Sequence, residues 1–162
     1  MGHLQRSVTG HLLRCSDGHL MNVCNCDPVW EGCMCAGVDF QVVCDITGCP
    51  ATYPSFPNPT NCQDYTGTFT MSGTALTCTG SVTWNSGLNL INVSFTQVPG
   101  DTSQMRVSAY QSFYNGVIDQ ICCTGYVDVP VPATCDDIST PYVISITQDA
   151  SNCAATFTIS KV

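Results

Sequence analysis

Thirteen cysteines in 162 residues, set among short runs of alternating apolar and polar side chains, restrict this chain more than any other feature. Each bridge holds two backbone positions within about 4–7 Å of one another, so the fold must return distant segments to common neighbours. Cysteine at this density points to maturation in an oxidising, extracellular setting.

The alternation supplies the elements. In residues 39–46, Phe40, Val42, Cys44 and Ile46 share one face, while Asp39, Gln41, Val43 and Asp45 share the other, the pattern of a half-buried strand. Similar β signals cover residues 65–72, 75–78, 81–84, 88–97, 105–114, 117–126, 142–148 and 154–162. Between them stand Asn85-Ser86-Gly87, Pro99-Gly100-Asp101 and Asn115-Gly116; the last is the strongest hairpin signal in the chain. No stretch has the period of an amphipathic helix. The expected fold is therefore all-β, a disulfide-rich antiparallel β-sandwich with an extended N-terminal β-repeat arm. Phe69, Met71, Trp84, Val93, Phe95, Ile144, Ile146, Phe157 and Ile159 are its core candidates. Alternating threonines (Thr66, Thr68 and Thr70; Thr77 and Thr79; Thr156 and Thr158) suit the wet face of a sheet. Asn92-Val93-Ser94 is a glycosylation sequon placed within a strand.

The arm is the second constraint. Gly2-His3-Leu4, Gly10-His11-Leu12 and Gly18-His19-Leu20 recur at a period of eight, one structural unit used three times. Eight is even, so in an extended chain each histidine and leucine keeps a constant face. On an α-helix successive copies would rotate by roughly 80° and form no stripe. Within one unit Leu12, Arg14 and Ser16 share a face and His11, Leu13 and Cys15 share the other, so neither face is wholly apolar. Residues 1–25 are read as an assembly arm whose partner is a further copy of the chain. Through Asn25 the formal charge is +1 (Arg6, Arg14, Asp17); from Cys26 onward it is −9, an opposition suited to steering head-to-tail docking.

Residues 26–38 form a cysteine-rich junction, and residues 39–162 the sandwich. Cys24, Cys26, Cys33 and Cys35 make two C-x-C pairs across a Pro-, Trp- and Gly-bearing turn that would let the pairs face each other. A four-thiolate metal site is the alternative, but structural zinc sites more often use C-x₂-C spacing. Cys44, Cys49, Cys62, Cys78, Cys122, Cys123, Cys135 and Cys153 complete the disulfide candidates. Cys122 and Cys123 should point to opposite faces of a strand and so take different partners. Thirteen is odd, and Cys15, the only cysteine inside the repeat, is left as an intermolecular or free thiol. Cys49 and Cys62 could close a long loop holding Pro50, Pro54, Pro57 and Pro59, a surface suited to contact.

These readings exclude several functions. Residues 26–162 contain no histidine, which removes Ser-His-Asp and Cys-His pairs and histidine-based metal catalysis from them. No Gly-rich phosphate loop occurs, and the acidic balance opposes nucleic acid as a partner. The longest apolar run is far too short to span a membrane. No secretory signal opens the chain, so either a leader has been removed or exposure follows lysis or packaging in a virion, and the second is expected. The chain is not expected to be an enzyme or to carry a cofactor.

The Gly-His-Leu repeat, the C-x-C pairs and the Thr- and Cys-rich body together resemble small proteins of environmental bacterial and phage genomes, a resemblance that brings no activity with it. An extended arm on a sandwich is similar in plan to subunits of phage fibres and bacterial surface filaments. The expectation is a structural subunit that assembles through its arm into an extracellular filament, fibre or virion appendage. The first alternative is a monomeric glycan- or surface-binding module using Tyr53, Phe56, Tyr110 and Tyr114. The second is a metal-binding protein using His3, His11 and His19 or the C-x-C cysteines.

Overall fold

Alternation along the chain is realised as two stacked antiparallel sheets. The computed structural model describes residues 30, 32–49, 62–74, 77–114, 116 and 119–162; the arm, with its three Gly-His-Leu units, Cys15, Cys24 and Cys26, lies outside them. The strands are β1 (Asp39–Gly48), β2 (Tyr65–Thr70), β3 (Ser72–Gly73), β4 (Thr77–Trp84), β5 (Asn89–Val98), β6 (Asp101–Tyr114), β7 (Asp119–Pro130), β8 (Tyr142–Ile146) and β9 (Ala154–Lys161). One sheet has the order β2-β1-β9-β8, the other β3-β4-β5-β6-β7. A 3₁₀ turn, Cys135–Asp137, is capped by Thr134, whose hydroxyl accepts from the Asp136 N–H.

The inner faces are built from the residues whose periodicity is two. Phe40, Val42 and Cys44 of β1, Phe157 and Ile159 of β9, and Ile144 of β8 face Ile91, Val93 and Phe95 of β5 and Met105 and Val107 of β6; all are essentially inaccessible to solvent. Phe40 meets Phe95 edge to face at 5.4 Å between centroids, and Phe95 meets Tyr142 at 5.8 Å. Burying each such side chain contributes about 1.5–3 kcal/mol. Trp84, expected in this core, instead lies half-buried at its margin, stacked on Tyr65 at 3.9 Å. The large indole fits a sheet margin better than a closed interior.

The two segments read separately from the sequence, 75–78 and 81–84, meet in one strand: β4 covers Thr77–Trp84 and runs straight through Gly80. Gly80 faces the core beneath Phe69, and a Cβ there would stand 2.1 Å from the ring. The glycine that looked like an interruption makes room for an aromatic ring of the opposite sheet. The four-residue connection from Trp84 to Asn89 places Asn85 and Ser86 at φ 52° and 58°, left-handed conformations that suit a tight hairpin.

Four disulfides occur among the described residues: Cys33–Cys78, Cys35–Cys135, Cys49–Cys153 and Cys62–Cys122. Several sequence expectations are corrected by them. Cys49 and Cys62 do not close the proline-rich loop on itself; they tie its two ends to Cys153 and Cys122. Cys33 and Cys35 are both bridged to the sandwich, so their sulfurs are not available to a four-thiolate metal site; Cys24 and Cys26 lie outside the described residues. Cys33, Met34 and Val38 of the junction pack against the core, with Cys35 buried in it. Cys44 and Cys123, counted among the disulfide candidates, are free thiols in this structure.

Cys122 and Cys123 do not point to opposite faces. Gln111 pairs with Cys123 and Ser112 with Ile121, which leaves Cys122 as the extra residue of a β-bulge. The bulge suspends the two-residue alternation, and both cysteines are buried.

Gly80→Val is expected to destabilise the protein by about 1–3 kcal/mol by overpacking against Phe69, seen as a lower urea midpoint with an unchanged slope. An unchanged midpoint would show that Phe69 can yield its place.

Candidate functional site

Strand pairing places two features side by side at the β6–β7 margin of the five-stranded sheet. The first is its outer face. Register sets Arg106 opposite Asp128, Ser108 opposite Tyr126 and Tyr110 opposite Thr124. Arg106 donates from Nε and Nη2 to the two Asp128 carboxylate oxygens at 2.8 and 2.9 Å, and its guanidinium lies 3.9 Å from the centroid of the Tyr126 ring. A fork-to-fork pair fixes the guanidinium plane, and the diagonal neighbour two residues along the partner strand supplies the ring for a cation–π contact. Tyr126 is 58% exposed. Beside it the Ser94 and Ser108 hydroxyls share a hydrogen bond at 2.9 Å, and Asn92 lies opposite Tyr110. Hydroxyls, an amide, a guanidinium and an accessible ring form a polar strip that can stack on and hydrogen-bond to a sugar or another polar surface.

The second feature is the edge of β7 itself. Twelve residues long, it spans about 40 Å and pairs with β6 on one side only. On the other side no strand pairs with it among the described residues, although the Cys122 carbonyl accepts the Cys153 N–H at 2.8 Å. Ile121 at 47% and Tyr126 at 58% exposed stand along it. Between this edge and β8 runs a groove of about 340 Å³ lined by Val127, Val129, Pro132, Ile138, Tyr142 and Val143. Partial burial of Tyr142 in the groove pushes its pKa up to about 12.

The chain enters at the same corner. The Trp30 N–H donates to the Thr102 carbonyl at 2.8 Å and the Val131 N–H to the Ser103 carbonyl at 3.0 Å, so residue 30 joins β6 next to the point where β7 ends. Trp30 is buried, so residue 30 is held at that corner.

Of the residues singled out from sequence, Tyr110 and Tyr114 both lie on β6, with Tyr114 42% exposed. Tyr53 and Phe56 lie outside the described residues, as does the arm. The sequence alone does not single out Arg106 or Tyr126, nor pair either of them with Asp128. Their charges and ring were visible, but the bulge shifts the β6–β7 register by one residue, and only that register makes them neighbours. Among the described residues no group of three or more His, Cys, Asp or Glu is placed to hold a metal. Among those residues no helix is long and apolar enough to cross a membrane.

Three surface carboxylates share an electrostatic signature. Arg106 holds the Asp128 carboxyl below its ordinary value, Lys161 does the same for Asp136, and hydrogen bonds from Ser103 lower Asp101. A depressed native pKa stabilises the folded state fully above the unfolded value of about 3.9 and loses that contribution as pH falls through the native one. The urea midpoint is therefore expected to hold near neutrality and fall below about pH 4. Asp128→Asn should show a smaller fall than the parent chain, and an equal fall would assign the acid sensitivity elsewhere.

No protein-family model matches the chain, and comparisons with curated proteins and with solved structures likewise return no match.

Proposed function

We propose that this chain is a non-enzymatic structural subunit that assembles with further copies of itself, through its N-terminal repeat arm, into an extracellular filament, fibre or virion appendage. The observation that carries this reading is the long open edge of β7 at the corner where residue 30 enters the sandwich. An unpaired strand edge is a template for a strand from another chain. The repeat has the even period of an extended segment and no wholly apolar face of its own. Its formal charge of +1 opposes the −9 of the remainder, which favours attraction between arm and sandwich. The four disulfides suit a subunit that must persist outside the cell, where oxidising conditions maintain them.

The polar strip around Tyr126 favours a second reading, a monomeric glycan-binding module. An exposed ring held in place by Arg106, beside serine hydroxyls and Asn92, suits stacking on a sugar. Native size distinguishes the two readings, because the module needs no second copy.

Light scattering and electron microscopy of the full chain are expected to show multimers or filaments. Removal of residues 1–25 should leave a folded monomer with the same four bridges. Undiminished assembly of the shortened chain refutes the role of the arm, and a full chain that stays monomeric at every concentration favours the glycan module.

A further inference from the structure

Two thiols meet inside the core, and nothing in the assembly reading uses them. Cys44 of β1 and Cys123 of β7 come from opposite sheets, are both free and fully buried, and both border Gln111, whose backbone pairs with Cys123 and whose side chain reaches the Cys44 sulfur. Their placement is built by neighbouring residues. The bulge at Cys122 turns Cys123 inward opposite Gln111. The Gln111 side chain, itself fully buried, donates from Nε2 to the Gln63 carbonyl at 2.8 Å and to the Cys44 sulfur at 3.8 Å, and its carbonyl oxygen accepts the Gln63 N–H at 3.3 Å. One buried amide thus secures the chain beside Cys62 and also contacts Cys44. A thiol is a weak donor and a weak acceptor, so this contact gains little as a hydrogen bond alone. Gln111 is held by three bonds in a low-dielectric interior, which keeps Cys44 and Cys123 at a defined approach.

We propose that Cys44 and Cys123 are a redox couple whose oxidised form is a disulfide running through the core from the four-stranded sheet to the five-stranded sheet. None of the four bridges present among the described residues joins a strand of one sheet directly to a strand of the other. The oxidant is a small-molecule disulfide of the maturing compartment, such as oxidised glutathione. The thiolate of Cys123 attacks one sulfur of that disulfide and releases one small thiol. The thiolate of Cys44 then attacks the Cys123 sulfur of the mixed disulfide and releases the second. Two protein thiols are oxidised, one external disulfide is reduced to two thiols, and the protons from Cys44 and Cys123 end on the thiols released. Because both sulfurs are closed off in the folded chain, exchange takes place while the sheets are still parted.

The full chain, refolded from the reduced state in a glutathione redox buffer, is denatured without reductant, alkylated, digested and mapped by mass spectrometry. The expected product is a linked peptide pair containing Cys44 and Cys123 with neither sulfur alkylated. Alkylation of both residues in molecules whose Cys35–Cys135 and Cys62–Cys122 bridges are intact overturns the proposal, as does linkage of Cys44 to any other cysteine. In Cys123→Ala, Cys44 is expected to become alkylated in every molecule that keeps those two bridges; continued protection there also overturns it.

Discussion

Packing of β1 and β9 against β5 and β6 is the contact on which the rest of the molecule depends. Phe40, Phe157 and Ile159 on one side and Val93, Phe95 and Val107 on the other are sealed from water, and a β-sheet with one apolar face has no stable existence until that face is covered. Once the faces meet, side-chain volume dictates the remaining detail. Gly80 admits the Phe69 ring, and Gly125 lets Ile144 and Ile146 approach β7 where a Cβ would come within about 3 Å of them.

The bridges extend that core, since six of their eight cysteines are buried in it. Cys33–Cys78 and Cys35–Cys135 clamp the segment entering the sandwich, Cys49–Cys153 joins the end of β1 to the start of β9, and Cys62–Cys122 returns the proline-rich loop to β7. In the usual chain-entropy account such links stabilise by restricting the unfolded chain, more so for long loops, and Cys35–Cys135 and Cys49–Cys153 enclose 100 and 104 residues of sequence separation. The bulge at Cys122 is the local irregularity that lets adjacent cysteines serve one interior. Gln111 accompanies it as a buried amide with both of its polar ends in use, which makes its burial tolerable.

Outside this frame, chemistry concentrates where β6 and β7 run together. The outer face carries the Arg106–Asp128 fork beneath an accessible Tyr126, and the margin of β7 stays open beside the corner where residue 30 is held. One element therefore offers both a polar strip and an edge with no strand partner among the described residues, and the two functional readings differ in which of them meets the partner.

Much of this architecture was legible before any coordinates. Alternation in residues 39–46 and 88–97 assigns strands and inward faces because a strand has only two faces, and Phe40, Val42, Val93 and Phe95 lie where that rule puts them. Turn chemistry at Asn85-Ser86-Gly87 and Pro99-Gly100 marks the hairpins because few residues tolerate those backbone angles. Cysteine partners, the bulge, the shift in β6–β7 register and the meeting of Arg106 with Tyr126 were decided only in three dimensions. Each depends on how strands distant in sequence align, and a shift of one residue changes every neighbour while leaving the local pattern intact. The amino-acid sequence by itself determined a stapled two-sheet interior, because burial and backbone angles are set locally; which sulfurs, charges and rings meet was decided by the tertiary structure, because proximity belongs to the packed whole.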